Sequence, residues 1–264
     1  MTYFTPISSR RAFASTFARM WRVWAALFFR ELDDAGETAL GVLMQFVEPI
    51  IMIFATCGIA WLIDRHPPFG NSMILFASTG VAPIYLFAHI SMQSFAFPSQ
   101  PSSLHRDFDI VLVRAFYAFF KTTVAVIAMN ALLYFTQTAE ALPSDLGLAL
   151  TVWLIVATLA LGVGLTNRSI VLAFPAWEHI YPAFARIVIH LSGVYYIIDT
   201  LPIFIRNWIW FNPLSHATTW FRLAFYPRFP HYTLSTSYLL TFTFAAACLG
   251  AIMQLRFRDR VANI

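Results

Sequence analysis

Six stretches of about 20 apolar residues, separated by short polar segments, constrain this chain more than any other feature. Only a helix or a closed barrel satisfies its own backbone in hydrocarbon, and a helical crossing needs about 20 apolar residues. Strand-type alternation is absent, so helices are expected. The expected spans run from about Val42 to Ile63, Ile74 to Phe95, Val111 to Tyr134, Leu146 to Leu165, Ile180 to Ile198 and Ser237 to Leu255. The composition agrees: 59% of the 264 residues are hydrophobic and only 11% are charged, less than half the share in a soluble domain. So apolar a chain cannot clothe a soluble surface, which excludes a cytosolic enzyme, a disordered tail and a disulfide scaffold. The fold class that follows is an all-α, six-span membrane protein: a single transmembrane domain over 1–264, with an N-terminal segment over 1–40, the bundle over 42–255 and a tail over 256–264.

The N-terminal segment does not read as a signal peptide, because Arg10, Arg11, Arg19, Arg22 and Arg30 interrupt it and no small-residue cleavage site follows. Phe13, Phe17, Trp21, Trp24, Phe28 and Leu32 recur at three- and four-residue steps, which places them on one face of a helix with Arg at the flank. Such a helix lies along the membrane surface; a packed helix of a soluble subdomain is the alternative. Sixteen of the seventeen cations are Arg. Eleven fall on one side of the expected spans: the five above, then Arg106, Arg114, Arg168, Arg256, Arg258 and Arg260. Four fall on the other, Arg65, Arg206, Arg222 and Arg228. This asymmetry predicts both termini in the cytoplasm, and the net charge of +4 then serves topology and lipid headgroups, with no nucleic acid as partner.

Two connections stand out. The polar stretch from Pro98 to Asp109 is expected in the cytoplasm, with Ser102 or Ser103 able to cap a short helix and Asp107 or Asp109 near its first turn. The stretch from Asp199 to Thr233 lies outside yet carries Phe204, Trp208, Trp210, Phe211, Trp220 and Phe225, broken by Asn212-Pro213. Two short amphipathic helices that dip into the outer leaflet without crossing account for it. Motifs for chemistry are absent: there is no phosphate-binding G-x-x-x-x-G-K-[ST], no H-E-x-x-H and no G-x-S-x-G. Gly162-x-Gly164 reads as a close-packing site and not a dinucleotide loop. Cys57 and Cys248 read as small buried apolar residues, and the scattered histidines make no metal set. The chain is therefore expected to be no enzyme, with no catalytic residue, cofactor or metal of its own.

Ionisable groups inside spans are costly and mark functional positions. Glu48 and Lys121 are two. Glu178, Arg186 and His190 form one stripe at multiples of four. A polar pathway wall and a set of interhelical ion pairs, for example Glu48 or Glu178 with Arg186, are both open readings. Likewise the aromatics suit an interfacial belt, as for Trp61, Trp153, Trp208 and Trp210, or a sliding surface for sugar C–H faces.

Several segments resemble the membrane subunit of polysaccharide exporters of the ABC-2 transporter class, which export capsule, O-antigen and related glycans. They are Arg30-Glu31-Leu32, Ala39 to Val47-Glu48-Pro49, Phe108 to Ala115, and above all Leu191-Ser192-Gly193-Val194-Tyr195-Tyr196, Leu201-Pro202, Trp210-Phe211-Asn212-Pro213-Leu214-Ser215-His216 and Arg222. The resemblance covers about residue 20 to the C-terminus. It implies six spans, an N-terminal amphipathic helix, a re-entrant pair that includes Trp208, Trp210, Asn212, Pro213 and Arg222, and a homodimer in the bacterial inner membrane. Two copies of a separate ATPase, holding ATP and Mg2+, would dock on the loop after span two, through Ser103, His105, Arg106, Asp107 and Asp109. It also implies a pathway lined by spans one and five, hence by Glu48, Arg186, His190, Tyr195 and Tyr196. The chain departs from the family after Arg30, where Asp33, Asp34 and Glu37 replace the usual basic residues. The activity implied is ATP-driven export of lipid-linked polysaccharide; an ABC-2 exporter of a smaller lipid or drug, and an ion-coupled carrier, are the alternatives.

Overall fold

A computed structural model describes residues 24–26, 28–29, 47, 50, 51, 54, 58, 66–95, 104–135 and 141–257, with the main chain alone for 104–108. Every regular element among them is helical: α1 (Met73–Phe95), α2 (Leu104–Phe135), α3 (Leu146–Ala173), α4 (Trp177–His190), α5 (Ile203–Ile209), α6 (Pro213–Phe225) and α7 (Thr236–Arg256), with a 3-10 turn at Ile198–Thr200. Four of these contain a stretch long and apolar enough to cross a membrane: Met73–Phe95, Asp109–Phe135, Leu146–Ala173 and Thr236–Arg256. They match the expected second, third, fourth and sixth spans. The first span falls mostly outside the described residues, Glu48 with it; positions 47, 50, 51, 54 and 58 are helical, and Ile50 packs on the core.

The bundle is arranged around α1, which packs against α2, α3 and α6, while α7 lies against α3. Consequently α1 is buried along most of its length, from Leu75 to Phe87 without a break. Its Ser78 and Thr79 hydroxyls donate back to Leu75 O and Phe76 O, so these polar groups need no partner across the apolar interior. The α3–α7 contact depends on small residues. A Cβ on Gly162 would meet the Ala246 carbonyl carbon at 2.6 Å, and one on Gly250 would meet Gly162 O at 2.6 Å. Backbones approach so closely in a bilayer because dispersion, not water exclusion, holds the helices together.

Several expectations change. The polar segment before span three is no separate short helix among the described residues: it continues into the 32-residue α2, about 48 Å long at about 1.5 Å per residue and so longer than the roughly 30 Å hydrocarbon core. Span four extends to Ala173, because Thr166, Asn167 and Ser169 return their side-chain hydrogen bonds to carbonyls one turn back and do not interrupt the helix. Arg168, expected in a cytoplasmic loop, is therefore fully buried inside α3. The expected span five is the 14-residue α4, about 21 Å long and short of a full crossing. It stops at His190 with Leu191 as its C-cap, and Gly193, three residues past His190, adopts φ 77°, a left-handed conformation that turns the chain away. Trp153 is buried within the bundle, its ring 5.7 Å from that of Phe221 and its Nε1 donating to Thr123 Oγ1.

Of the N-terminal aromatic stripe, Trp24 and Phe28 are described, both helical; Phe13, Phe17, Trp21 and Leu32 are outside the described residues. Phe28 sits on α2, its ring 6.1, 5.7 and 6.2 Å from those of Phe116, Tyr117 and Phe120.

Replacing Gly162 with Leu should lower the melting temperature of the detergent-purified protein sharply, since overpacking a filled interface typically costs about 1–3 kcal/mol. Gly58→Ala, where nothing lies within 4 Å of the added carbon, should leave the melt unchanged. Equal melts for the two variants would refute the close α3–α7 contact.

Candidate functional site

Between α4 and α7 the chain builds a cap at one end of the bundle. Ending α4 at His190 leaves its last carbonyls without intrahelical donors. The backbone N–H groups of Leu191 and Ser192 reach Ile187 O and Ile189 O, and the side chains of Ser192 and Asn212 reach Val188 O. Asn212 caps α6, accepting from Leu214 N at 3.0 Å, and its amide donates to Val188 O at 3.1 Å and Ser192 Oγ at 2.9 Å. Pro213 occupies the first turn of α6, where no backbone donor is needed. Asn212-Pro213 thus starts one short helix and bolts it to the end of another.

His216 makes the second fastening. Its Nε2 donates to Trp210 O at 2.8 Å and its Nδ1 accepts from Ser235 N at 3.1 Å, so the ring is held neutral in one tautomer. Trp210 packs against both His216 and Tyr238, at 5.5 and 4.7 Å between ring centroids, and Tyr238 Oη donates to Phe211 O at 2.7 Å. Asp199 ties down the loop before α7 by accepting from Tyr232 N, Thr233 N and Thr233 Oγ1. Burial lowers the His216 pKa below its ordinary 6.5, opposed by the bond to Trp210 O.

Arg222 is the third fastening and the deepest, 1% exposed. Nη1 donates to Gly193 O at 2.6 Å and, at longer range, to Tyr196 O at 3.4 Å; Nη2 donates to Val194 O at 2.7 Å and Phe76 O at 3.3 Å. Its guanidinium carbon lies 3.9 Å from the centroid of the Phe76 ring, within cation–π range. Burial lowers its pKa to about 9, which still leaves it cationic at neutral pH.

The pathway candidates now have places. Glu178, Arg186 and His190 lie on an exposed face of α4, with His179. Glu178 and Arg186 stand two turns apart, about 12 Å, and form no ion pair with each other. His190 Nδ1 is 2.7 Å from Arg186 O, and its ring is 6.0 Å from that of Tyr195. Tyr195 and Tyr196, expected on the helix, sit beyond its end in the turn that Arg222 holds. Around α4 the opposite arc is apolar: Phe184, Leu191, Phe204, Ile205, Trp208 and Phe211 border a groove of about 890 Å3. Trp208 is 70% exposed there, unlike Trp210. At the far end of the molecule His105, Arg106 and Asp107 fall in the first turns of α2, Asp109 is half-buried, and Ser103 is outside the described residues. Lys121 is buried mid-way along α2, its Nζ 6.0 Å from the Tyr117 ring centroid. Ser192, Gly80 and His216 were not expected as site residues. The Ser192-Gly193 helix stop was the signal for the first; nothing in the sequence marks Gly80.

Long apolar helices around a buried central one, and a polar stripe left exposed on a short helix, define a multi-pass helical membrane protein. The ABC-2 type transporter profile matches residues 15–226, and the chain belongs to that family. Curated relatives agree. It is 28% identical to the capsule polysaccharide export inner-membrane protein CtrC of Neisseria meningitidis serogroup B over 82% of this chain and 84% of that protein. It is 26% identical to the capsule polysaccharide export inner-membrane protein BexB of Haemophilus influenzae over 96% and 97%. It is 24% identical to the polysialic acid transport protein KpsM of Escherichia coli over 85% and 89%.

A base whose folded pKa is depressed lets the unfolded chain bind a proton first as pH falls through about 6.5. The His216→Gln variant should therefore lose part of the drop in melting temperature that the wild type shows between about pH 7.5 and pH 5.5, a window set by the ordinary His value. Parallel melting curves for the two proteins would remove His216 from the pH dependence.

Proposed function

We propose that this chain is the membrane-spanning subunit of an ATP-driven exporter that moves a lipid-linked polysaccharide outwards across the bacterial inner membrane. The carrying observation is the exposed stripe of Glu178, His179, Arg186 and His190 on α4. Charged groups facing hydrocarbon are expensive, so a stripe left uncovered by its own subunit has to face water or a second subunit. A homodimer that brings two α4 stripes together gives a polar conduit, with the Tyr195 and Tyr196 rings available to slide along sugar faces. Glu48, outside the described residues, is proposed as a further member of this wall from its place in the first expected span. Capsule and polysialic acid export by the named relatives supports a glycan as cargo.

The chain has no nucleotide-binding motif, so the ATP and Mg2+ belong to two copies of a separate ATPase. In this reading α2 transmits the force. Its length exceeds the hydrocarbon thickness, so its first turns, with His105, Arg106, Asp107 and Asp109 and with Ser103 just before them, emerge on the cytoplasmic side to meet the ATPase. Both termini lie on that side. Removing Arg168 and Arg222 from the arginine asymmetry, since both are buried, leaves its direction unchanged. The re-entrant pair α5–α6, with Trp208 and Phe204 outward, rests in the outer leaflet.

Deleting the gene should abolish surface polysaccharide, and the chain should co-purify with an ATPase. Unchanged surface glycan with altered lipid or drug efflux would assign a smaller cargo instead. Transport by liposomes holding this chain alone, without ATP, would make it an ion-coupled carrier. Within the export reading, Arg186→Leu should reduce glycan export about tenfold or more at unchanged membrane level, as expected when a pathway charge is removed; wild-type flux would return Arg186 to a merely structural face.

A further inference from the structure

The geometry points to Arg222 as a positioning residue that joins the pathway turn at Tyr195–Tyr196 to the re-entrant helix α6 and to α1, so that these three move as one body during export. This rests on the export reading above.

Four observations carry it. Arg222 reaches three separate segments at once: α6, which bears it, the turn after α4 through Gly193 O, Val194 O and Tyr196 O, and α1 through Phe76 O. All four acceptors are main-chain oxygens, so the grip is on backbone position and survives changes of side chain in the turn. Three of those oxygens lie just past the C-terminal end of α4, where the helix concentrates partial negative charge, and a fully buried cation there is stabilised by that dipole. Finally, the approach is prepared from the other side. A Cβ on Gly80 would collide with Arg222 Nη2 and would meet Val194 O at 2.8 Å.

A guanidinium suits this task and an ammonium does not. The planar fork offers several donors in fixed directions, whereas Lys presents one compact charge on a flexible stem. With Lys at 222 the charge stays, but the turn is no longer held at three points. Export would then lose its register with the force arriving from the ATPase, because Tyr195 and Tyr196 would no longer follow α1 and α6. Fold and insertion draw on the rest of the bundle, chiefly α1 with α2 and α3.

The test uses the full chain with its ATPase in proteoliposomes and reads glycan exported per ATP hydrolysed. In Arg222→Lys this ratio should fall by about tenfold or more, since small misplacements of positioned groups have effects of that size. Gly80→Ala, which keeps the arginine and disturbs its seat, should fall in the same direction. A purely structural role would lower export and hydrolysis together and leave the ratio at the wild-type value, which would overturn the inference. Hydrogen exchange on the wild type gives a reading that needs no variant: residues 193–197 and 214–222 should open together, and independent opening would overturn the inference equally. If the wild-type complex exports no glycan while the two segments still exchange as one, the export reading fails and the clamp stands.

Discussion

A helix that ends inside a packed protein leaves carbonyl oxygens that need other donors, and each buried one left unsatisfied costs about 1–3 kcal/mol. The cap of this protein is organised around that cost. After His190 the chain leaves helical geometry, and Ser192, Asn212 and Arg222 come in to meet Val188 O, Gly193 O, Val194 O and Tyr196 O. Remove these donors and the turn would have to refold as helix or draw in water. The three residues come from points far apart in sequence, so the break in α4 is also what draws α5 and α6 back against the bundle.

The same break frees α4 from the geometry of a full crossing. A helix of about 21 Å need not bury every side: Tyr181 and Ala185 are buried on the side that, with Phe184, borders the apolar groove, and the Arg186–His190 stripe is exposed. The long helices have no such freedom. In α1, α3 and α7 polar side chains turn back onto their own backbone, or small residues such as Gly162 and Gly250 admit a neighbour. Scaffold and pathway candidate are thus built on different rules within one chain.

Much of this was legible in the sequence. Length and hydropathy placed three spans within a few residues and the start of the fourth, and Asn212-Pro213 marked the joint of a helix pair, because a cap and a first-turn proline act locally. The class was legible too, since the Ser-Gly, Leu-Pro and Trp-x-Asn-Pro-Leu segments are tied to this cap. Where the reading erred, packing or local hydrogen bonds that hydropathy does not register decided. Arg168 looked like a loop cation and is buried in α3; Arg222 was counted as an exterior charge and is the most enclosed cation of the cap. Hydropathy alone also carried span five past Gly193, because Val194 to Ile198 are as apolar as the helix before them. The helix nevertheless ends at His190, and Gly193 beyond it takes a positive φ.

Water access along α4 tests the account most directly. In a background with Cys57 and Cys248 replaced by Ala, single cysteines at positions 179, 186 and 190 should react in intact membranes with a membrane-impermeant, hydrophilic maleimide, whereas cysteines at 180 and 187 should not. Labelling at 180 and 187 with protection at 186 and 190 would place the charged stripe away from water, and would contradict a conduit built on this helix.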